Sequence, residues 1–180
     1  MILCSFITHI NKLAAIFDMG IGSIIPSVHK DLGWVGQYRR MIRWYNKFVV
    51  TNPGDFEYPD IEDAHDTMFA CFQNIFILKD WLHHSASIPK KELHDYIDAH
   101  IELQVCRDIC NGTKHFNIRD ASVDNDFTII REFEPFHKAL RQDKNKIIVL
   151  TGGHKFELKS LARTCIKLWE DFIKTKNLTS

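Results

Sequence analysis

Residues 60–84 read DIEDAHDTMFACFQNIFILKDWLHH, and their spacing decides the fold. Ala64, Met68, Cys71, Phe72, Ile75, Phe76 and Leu82 recur at helical intervals, so the stretch predicts a helix from Ile61 to about His84 with a broad buried face. A Met and aromatic stripe of this kind reads as core before it reads as a cofactor box. Asp60, following Pro59, resembles an N-cap, with Asp63 three positions on and acidic residues in the first turn. Lys79, Asp80, His83 and His84 close the helix, and cations there suit the C-terminal end of its dipole. Ser85–Ser87 and Pro89 then leave only a short connection, so the next helix is expected to run back antiparallel.

That second arm is expected from Ile88 to about Lys114. Ile97, Ile101, Val105 and Ile109 recur every four residues and form one apolar stripe. With Val105 at the centre of the stripe, Arg107 falls about 200° round the wheel, Asn111 about 240°, His115 about 280° and Asp108 about 300°. These four polar groups share one arc, running from the solvent side to the apolar edge. Asp108 and His115 should therefore be partly desolvated, the setting that moves a pKa. Gly112 falls within the buried stripe or marks where the helix stops. An imidazole has the intrinsic pKa for proton transfer, and a guanidinium has the fork that fits phosphate oxygens. The plainer reading of the same residues is structural. Asp108 then caps a neighbouring helix or pairs with Arg107 or Lys114, and His115 is a satisfied edge histidine. Lys79 and Asp80 lie near the connection and His115 at the far end of the second arm, so only a dimer or a bend would bring them together.

An Arg, a following polar residue and a later His on one helix of a helical hairpin resembles the signature of the HEPN superfamily. The family places four to six residues between that polar residue and the His; here six lie between Asp108 and His115, and seven between Arg107 and His115. The resemblance covers Asp60–Phe116. It implies a metal-independent ribonuclease or RNA-binding effector of the toxin–antitoxin or antiviral type, with an antitoxin or other protein partner and a site shared across a homodimer. It also implies roles. His115 moves the proton of a ribose 2′-hydroxyl or leaving group, Arg107 neutralises the phosphorane-like charge, and Asn111 orients phosphate or His115. Asp108 and Lys114 accompany them.

Upstream, Tyr38–Val50 predicts another helix, with Met41, Ile42, Tyr45, Phe48 and Val49 on its apolar face. Beside that face stand Arg39, Arg40, Arg43 and Lys47, with Trp44 among them. A basic face interleaved with an aromatic can follow a phosphate backbone and stack a base. It can also be a solvated face, or pair with the acidic residues of Glu57–Asp63. Asn52-Pro53-Gly54-Asp55 is a turn signal. Residues 1–37 read as a poorly defined N-terminal arm, with HKDLGWVGQ as loop.

Downstream, Asn117–Asp126 is expected as polar loop and Phe127–Phe133 as a strand ended by Pro135. The charged run Arg141–Lys146 leads to Ile147–Thr151, which pairs through Gly152-Gly153 with HKFELK as a hairpin. A last helix is expected from about Leu158 to Lys176. The fold class is α+β, mainly α: an antiparallel helical hairpin or bundle with a small antiparallel sheet and a C-terminal helix, residues 38–180 forming one domain.

Of the 180 residues 45% are hydrophobic and 26% charged, which supports a packed core and excludes global disorder. Lys and Arg total 23, as do Asp and Glu, so any nucleic-acid affinity must come from a local patch. The five cysteines form no CxxC pair, consistent with free thiols in a reducing cytoplasm. Cys106, Cys110 and His115 suggest zinc, as does His83-His84. However, Cys110 and His115 face apart on an unbroken helix, and the spacing of a four-ligand site is missing. No metal or cofactor is expected. P-loop, GxGxxG and GxSxG motifs are absent. The apolar run to Ile25 is interrupted by Asn11, Lys12 and Asp18, so no membrane association is expected. The alternative to the RNA-directed reading is a non-catalytic helical protein-interaction module.

Overall fold

A computed structural model describes residues 32–51, 60–114, 121–123, 126–133 and 145–178. In chain order these form α1 (Gly33–Val50), α2 (Asp60–Ala86), α3 (Lys90–Asp98), α4 (Ile101–Lys114), β1 (Thr128–Phe133), β2 (Asn145–Thr151), β3 (His154–Glu157) and α5 (Leu158–Thr175). The α+β, mainly helical class read from the sequence is the one observed. The turn at Asn52–Asp55, the stop at Pro135, the charged residues 141–144, Cys4 and nearly all of the N-terminal arm lie outside the described residues.

The long helix predicted from residues 60–84 is α2, and α1 packs along it antiparallel. At one end the backbone N–H of Trp34 donates to Ser85 Oγ at 2.8 Å, and in the middle Gln37 Nε2 donates to the backbone oxygen of Asn74 at 3.0 Å. Towards the other end Phe48 meets Phe72 edge-on, with ring centroids 6.2 Å apart. The reading of HKDLGWVGQ as loop is corrected here, because the helix already begins at Gly33. Its first-turn amide is capped by a serine 51 residues away, which local sequence does not display. Gly33 makes that approach workable. Its φ is +51°, and a Cβ there would lie 3.0 Å from both Cβ and Oγ of Ser85.

The second arm is not continuous. It divides at Ala99 and His100 into α3 and α4, and this corrects the single helix expected from Ile88 to Lys114. The Ala99 N–H returns to Asp95 O, His100 N–H to Ile97 O, and Gln104 Nε2 to Asp98 O at 2.8 Å, so the break satisfies its own backbone. Asp98 and Arg107 are nine residues apart, which on a straight helix means opposite faces. The break lets them meet in an ion pair at 2.8 Å.

Burial on α4 is also rotated from the expected stripe. Leu103, Val105, Cys106, Asp108, Ile109 and Cys110 are buried while Gly112 is exposed, and the helix runs through Gly112 to Lys114. Towards α2, the Cys106 thiol donates to Phe72 O at 3.6 Å. The helix is covered on a second side by α5, where the Cys165 thiol donates to Glu102 O at 3.3 Å.

The last helix, α5, lies antiparallel to both α1 and the α3–α4 arm. Tyr38 reaches Glu170 and Tyr96 donates to Leu168 O, each at 2.7 Å, and Lys176 pairs with Glu92. Burial and the Glu170 carboxylate push the Tyr38 hydroxyl up to about 12. Trp169, fully buried, sits with Tyr96 and Phe172 at the centre of this seam. The sheet has order β1-β2-β3, all antiparallel, and Ile147 and Val149 on β2 join the helical core. Gly152 and Gly153, at φ +55° and +72°, make the tight turn expected between β2 and β3. The side chain of Glu157 starts α5 by accepting from the amides of Lys159 and Ser160 at 2.9 and 2.7 Å.

Candidate nucleic-acid interface

The Arg107 side chain is fixed by two partners. Its Nη1 donates to Asp98 Oδ1 at 2.8 Å and its Nε to Ser122 Oγ at 2.7 Å, leaving the side chain 25% exposed. The neighbouring Asp108 is fully buried. Both of its oxygens lie 2.8 Å from the Ser122 amide, and Oδ1 also accepts the Ser122 hydroxyl at 2.5 Å. Ser122 is thus a junction, donating to the carboxylate while accepting from the guanidinium. Partial desolvation is the expectation for Asp108, with a cap or a pair with Arg107 or Lys114 as its structural reading. It holds the 121–123 segment, and Arg107 pairs across the α3–α4 break.

Asn111 stands one turn beyond Arg107 and is half-buried. Lys114 is the last residue of α4, and its side chain and His115 lie outside the described residues. The structure therefore brings Arg107 and Asp108 together through Ser122. Neither Ser122 nor Asp98 was singled out from the sequence, because both depend on loop and break geometry that helical periodicity does not encode.

The second candidate set lies on α1. Its sequence, GWVGQYRRMIRWYNKFVV, contains four cations and no carboxylate. Arg39, Arg43 and Lys47 are exposed and Arg40 is half-exposed, all turned away from the buried line of Trp34, Gln37, Met41 and Phe48. Among the described residues none of the four cations forms an ion pair with a carboxylate, including Glu62 and Asp63, which are exposed. Two indoles accompany them. The Arg40 guanidinium lies 6.0 Å from the centre of the Trp81 ring on α2, and Lys47 Nζ lies 4.5 Å from that of Trp44. Each cation can thus rest on an aromatic face whose indole stays partly accessible. Trp81 extends the surface beyond what α1 alone suggested. This set is distinct from Arg107, because α1 packs on α2 and α5 whereas Arg107 is tied to Asp98 and Ser122.

Cys71, Cys106, Cys110 and Cys165 are buried free thiols where α2, α4 and α5 meet. Burial pushes the Cys71 and Cys106 thiols well up from their ordinary value, so they behave as small core side chains. His83 Nδ1 donates to Ile88 O at 2.8 Å and closes the α2–α3 link. Among the described residues no group of three or more His, Cys, Asp or Glu side chains is arranged to hold a metal ion. No helix among them is long and apolar enough to cross a membrane.

No protein-family model matches this chain, and comparison with curated proteins and with solved structures finds no match either.

Proposed function

We propose that this protein is an RNA-binding effector that holds single-stranded RNA along the outer face of α1. The observation that carries the reading is the four-cation, carboxylate-free face of that helix, interleaved with Trp44 and extended by Trp81. Cations spaced along a helix track a phosphate backbone, and partly open indoles accept bases without regard to sequence. The overall charge balance is neutral, so attraction must come from a local patch, which this face provides. Four phosphate contacts give a salt slope of about −3 for a single strand, so affinity falls about 50-fold between 50 and 200 mM salt. Fluorescence anisotropy with a labelled single-stranded RNA measures this. Replacing Arg39, Arg40, Arg43 and Lys47 with Gln should flatten the slope, and Trp44→Ala should weaken binding by about 1–3 kcal/mol. Binding with an unchanged slope in the four-residue variant would refute the assignment.

The HEPN-like form of the reading adds metal-independent cleavage. In it, Arg107 meets the phosphate through the guanidinium edge that Asp98 and Ser122 leave, Asn111 and Lys114 border the strand, and His115 moves the proton. Asp108 acts as a positioning residue through Ser122. RNA should then be cut in EDTA to give cyclic phosphate ends, and His115→Ala should bind RNA without cutting it. The non-catalytic interaction module is favoured by the internal commitment of Arg107 and Asp108. It expects no cleavage, and partner binding indifferent to His115→Ala.

A further inference from the structure

Where the last turn of α1 meets β2 and the start of α5, a cavity of ≈ 500 Å³ opens. Among the described residues that line it are three cations, Lys146, Lys159 and Arg163, and one carboxylate, Glu157. That carboxylate is turned to its own helix, where its two oxygens accept the amides of Lys159 and Ser160. The helix N-terminus is therefore already satisfied, and the attraction for an anion comes from the side chains. Lys159 Nζ spends one donor on Val49 O at 2.8 Å, which anchors it at the rim. The Arg163 Nε spends another on Tyr45 Oη at 3.0 Å, which holds the guanidinium in a fixed orientation with its remaining N–H groups unspent among the described residues. The rest of the lining includes the hydroxyls of Thr51 and Ser160 and apolar side chains such as Phe48 and Leu158, which are buried and present little surface to the cavity. Cations held in place beside hydroxyls, in a space of a few hundred Å³, suit a small anionic group such as a phosphate.

We infer that this cavity binds the phosphomonoester group of a nucleotide, through Lys159 and Arg163 with Lys146 beside them. Two sources share that chemistry: a free mononucleotide, and the phosphorylated end of an RNA strand lying on α1, whose Lys47 precedes the cavity-lining Thr51 by one turn. The second source rests on the RNA-binding reading; the first does not.

The test uses AMP and adenosine as free probes, and one RNA oligomer with either a 5′-phosphate or a 5′-hydroxyl. Phosphorus NMR and calorimetry on the full chain should show saturable binding of AMP but not of adenosine. In the terminal-nucleotide case the phosphorylated oligomer should bind about tenfold tighter than its hydroxyl counterpart. The doubly substituted Arg163→Gln, Lys146→Gln protein, verified as folded by its urea transition, should lose AMP binding. It should also lose the preference for the phosphorylated end while binding the hydroxyl oligomer as before. AMP bound by a protein that ignores RNA supports the cavity and sinks the RNA-binding reading. RNA bound regardless of its end, with AMP no better than adenosine, overturns the cavity assignment and leaves the α1 face standing.

Discussion

Removing the Asp108 carboxylate tests the tertiary logic of the Arg107 region most directly. Asp108 is fully buried and receives both the N–H and the O–H of Ser122. A hydrogen bond to a charged group contributes about 1.5–3 kcal/mol net, so two such bonds set an upper range of about 3–6 kcal/mol. Ser122 is only half-buried, and water recovers part of its hydrogen bonding once the carboxylate is gone. Asp108→Ala should therefore cost about 2–4 kcal/mol, a fall of about 1–2 M in the urea midpoint for a domain of this size. Ser122→Ala removes one bond to Asp108 and the Arg107 contact but keeps the backbone amide, and should cost about 1–2 kcal/mol. Because the two residues share the same bonds, the double variant should fall short of the sum by about 1 kcal/mol or more. Urea titrations of the four proteins supply the cycle, and hydrogen exchange at the Ser122 amide reports the local opening. A cost below about 1 kcal/mol for Asp108→Ala, or strict additivity with Ser122→Ala, would refute the view that this carboxylate holds the 121–123 segment.

Three further outcomes are expected. Gly33→Ala forces a side chain into a left-handed φ and against Ser85, displacing the cap on Trp34, and should lower stability by about 2–3 kcal/mol in urea titration, against about 1 kcal/mol for Ser85→Ala. Ser87, at φ +57° between α2 and α3, gains from a residue indifferent to that conformation, so Ser87→Gly should raise the urea midpoint by an amount worth about 0.5–1 kcal/mol. The buried Cys71 and Cys106 thiols hold their protons to higher pH than they would in the unfolded chain, where thiols ionise near their ordinary value. Their contribution is complete below that value and is lost as pH rises beyond it, so the urea midpoint should fall between pH 8 and 10, less steeply in Cys106→Ala.

The helices and strands were legible where one face of an element meets one neighbour. The apolar run from Ala64 to Leu82 gave α2 almost to its ends, and Gly152-Gly153 gave the β2–β3 turn. Reading failed where a long-range contact decides. Nothing local distinguishes Ala99-His100 as a break, because its gain is the Asp98–Arg107 pair that only the bent arm permits. The isoleucine stripe misplaced the buried centre of α4 because Cys106 and Cys110, small apolar side chains, are buried with Cys71 of α2 and Cys165 of α5, which only the fold brings to them. Arg107 and Asp108 stand out in the sequence as polar residues on a packed helix, yet their partner Ser122 lies in a segment with no periodicity to read. The cavity was invisible for a related reason. Lys146, Lys159 and Arg163 sit on two elements, and only the meeting of β2 with α5 gathers them.

The crowding of like charge on α1 has an energetic consequence of its own. Arg39 and Arg43, Arg40 and Arg43, and Arg43 and Lys47 are spaced three or four residues apart, where same-sign neighbours disfavour a helix by about 0.2–0.5 kcal/mol per pair. The helix tolerates this repulsion because its opposite side is seated on α2 and α5. Anything that supplies negative charge relieves it: dissolved ions weakly and everywhere, a polyanion strongly and in one place. Ionic strength should therefore firm the free protein, and under the proposed RNA binding it should at the same time loosen the complex.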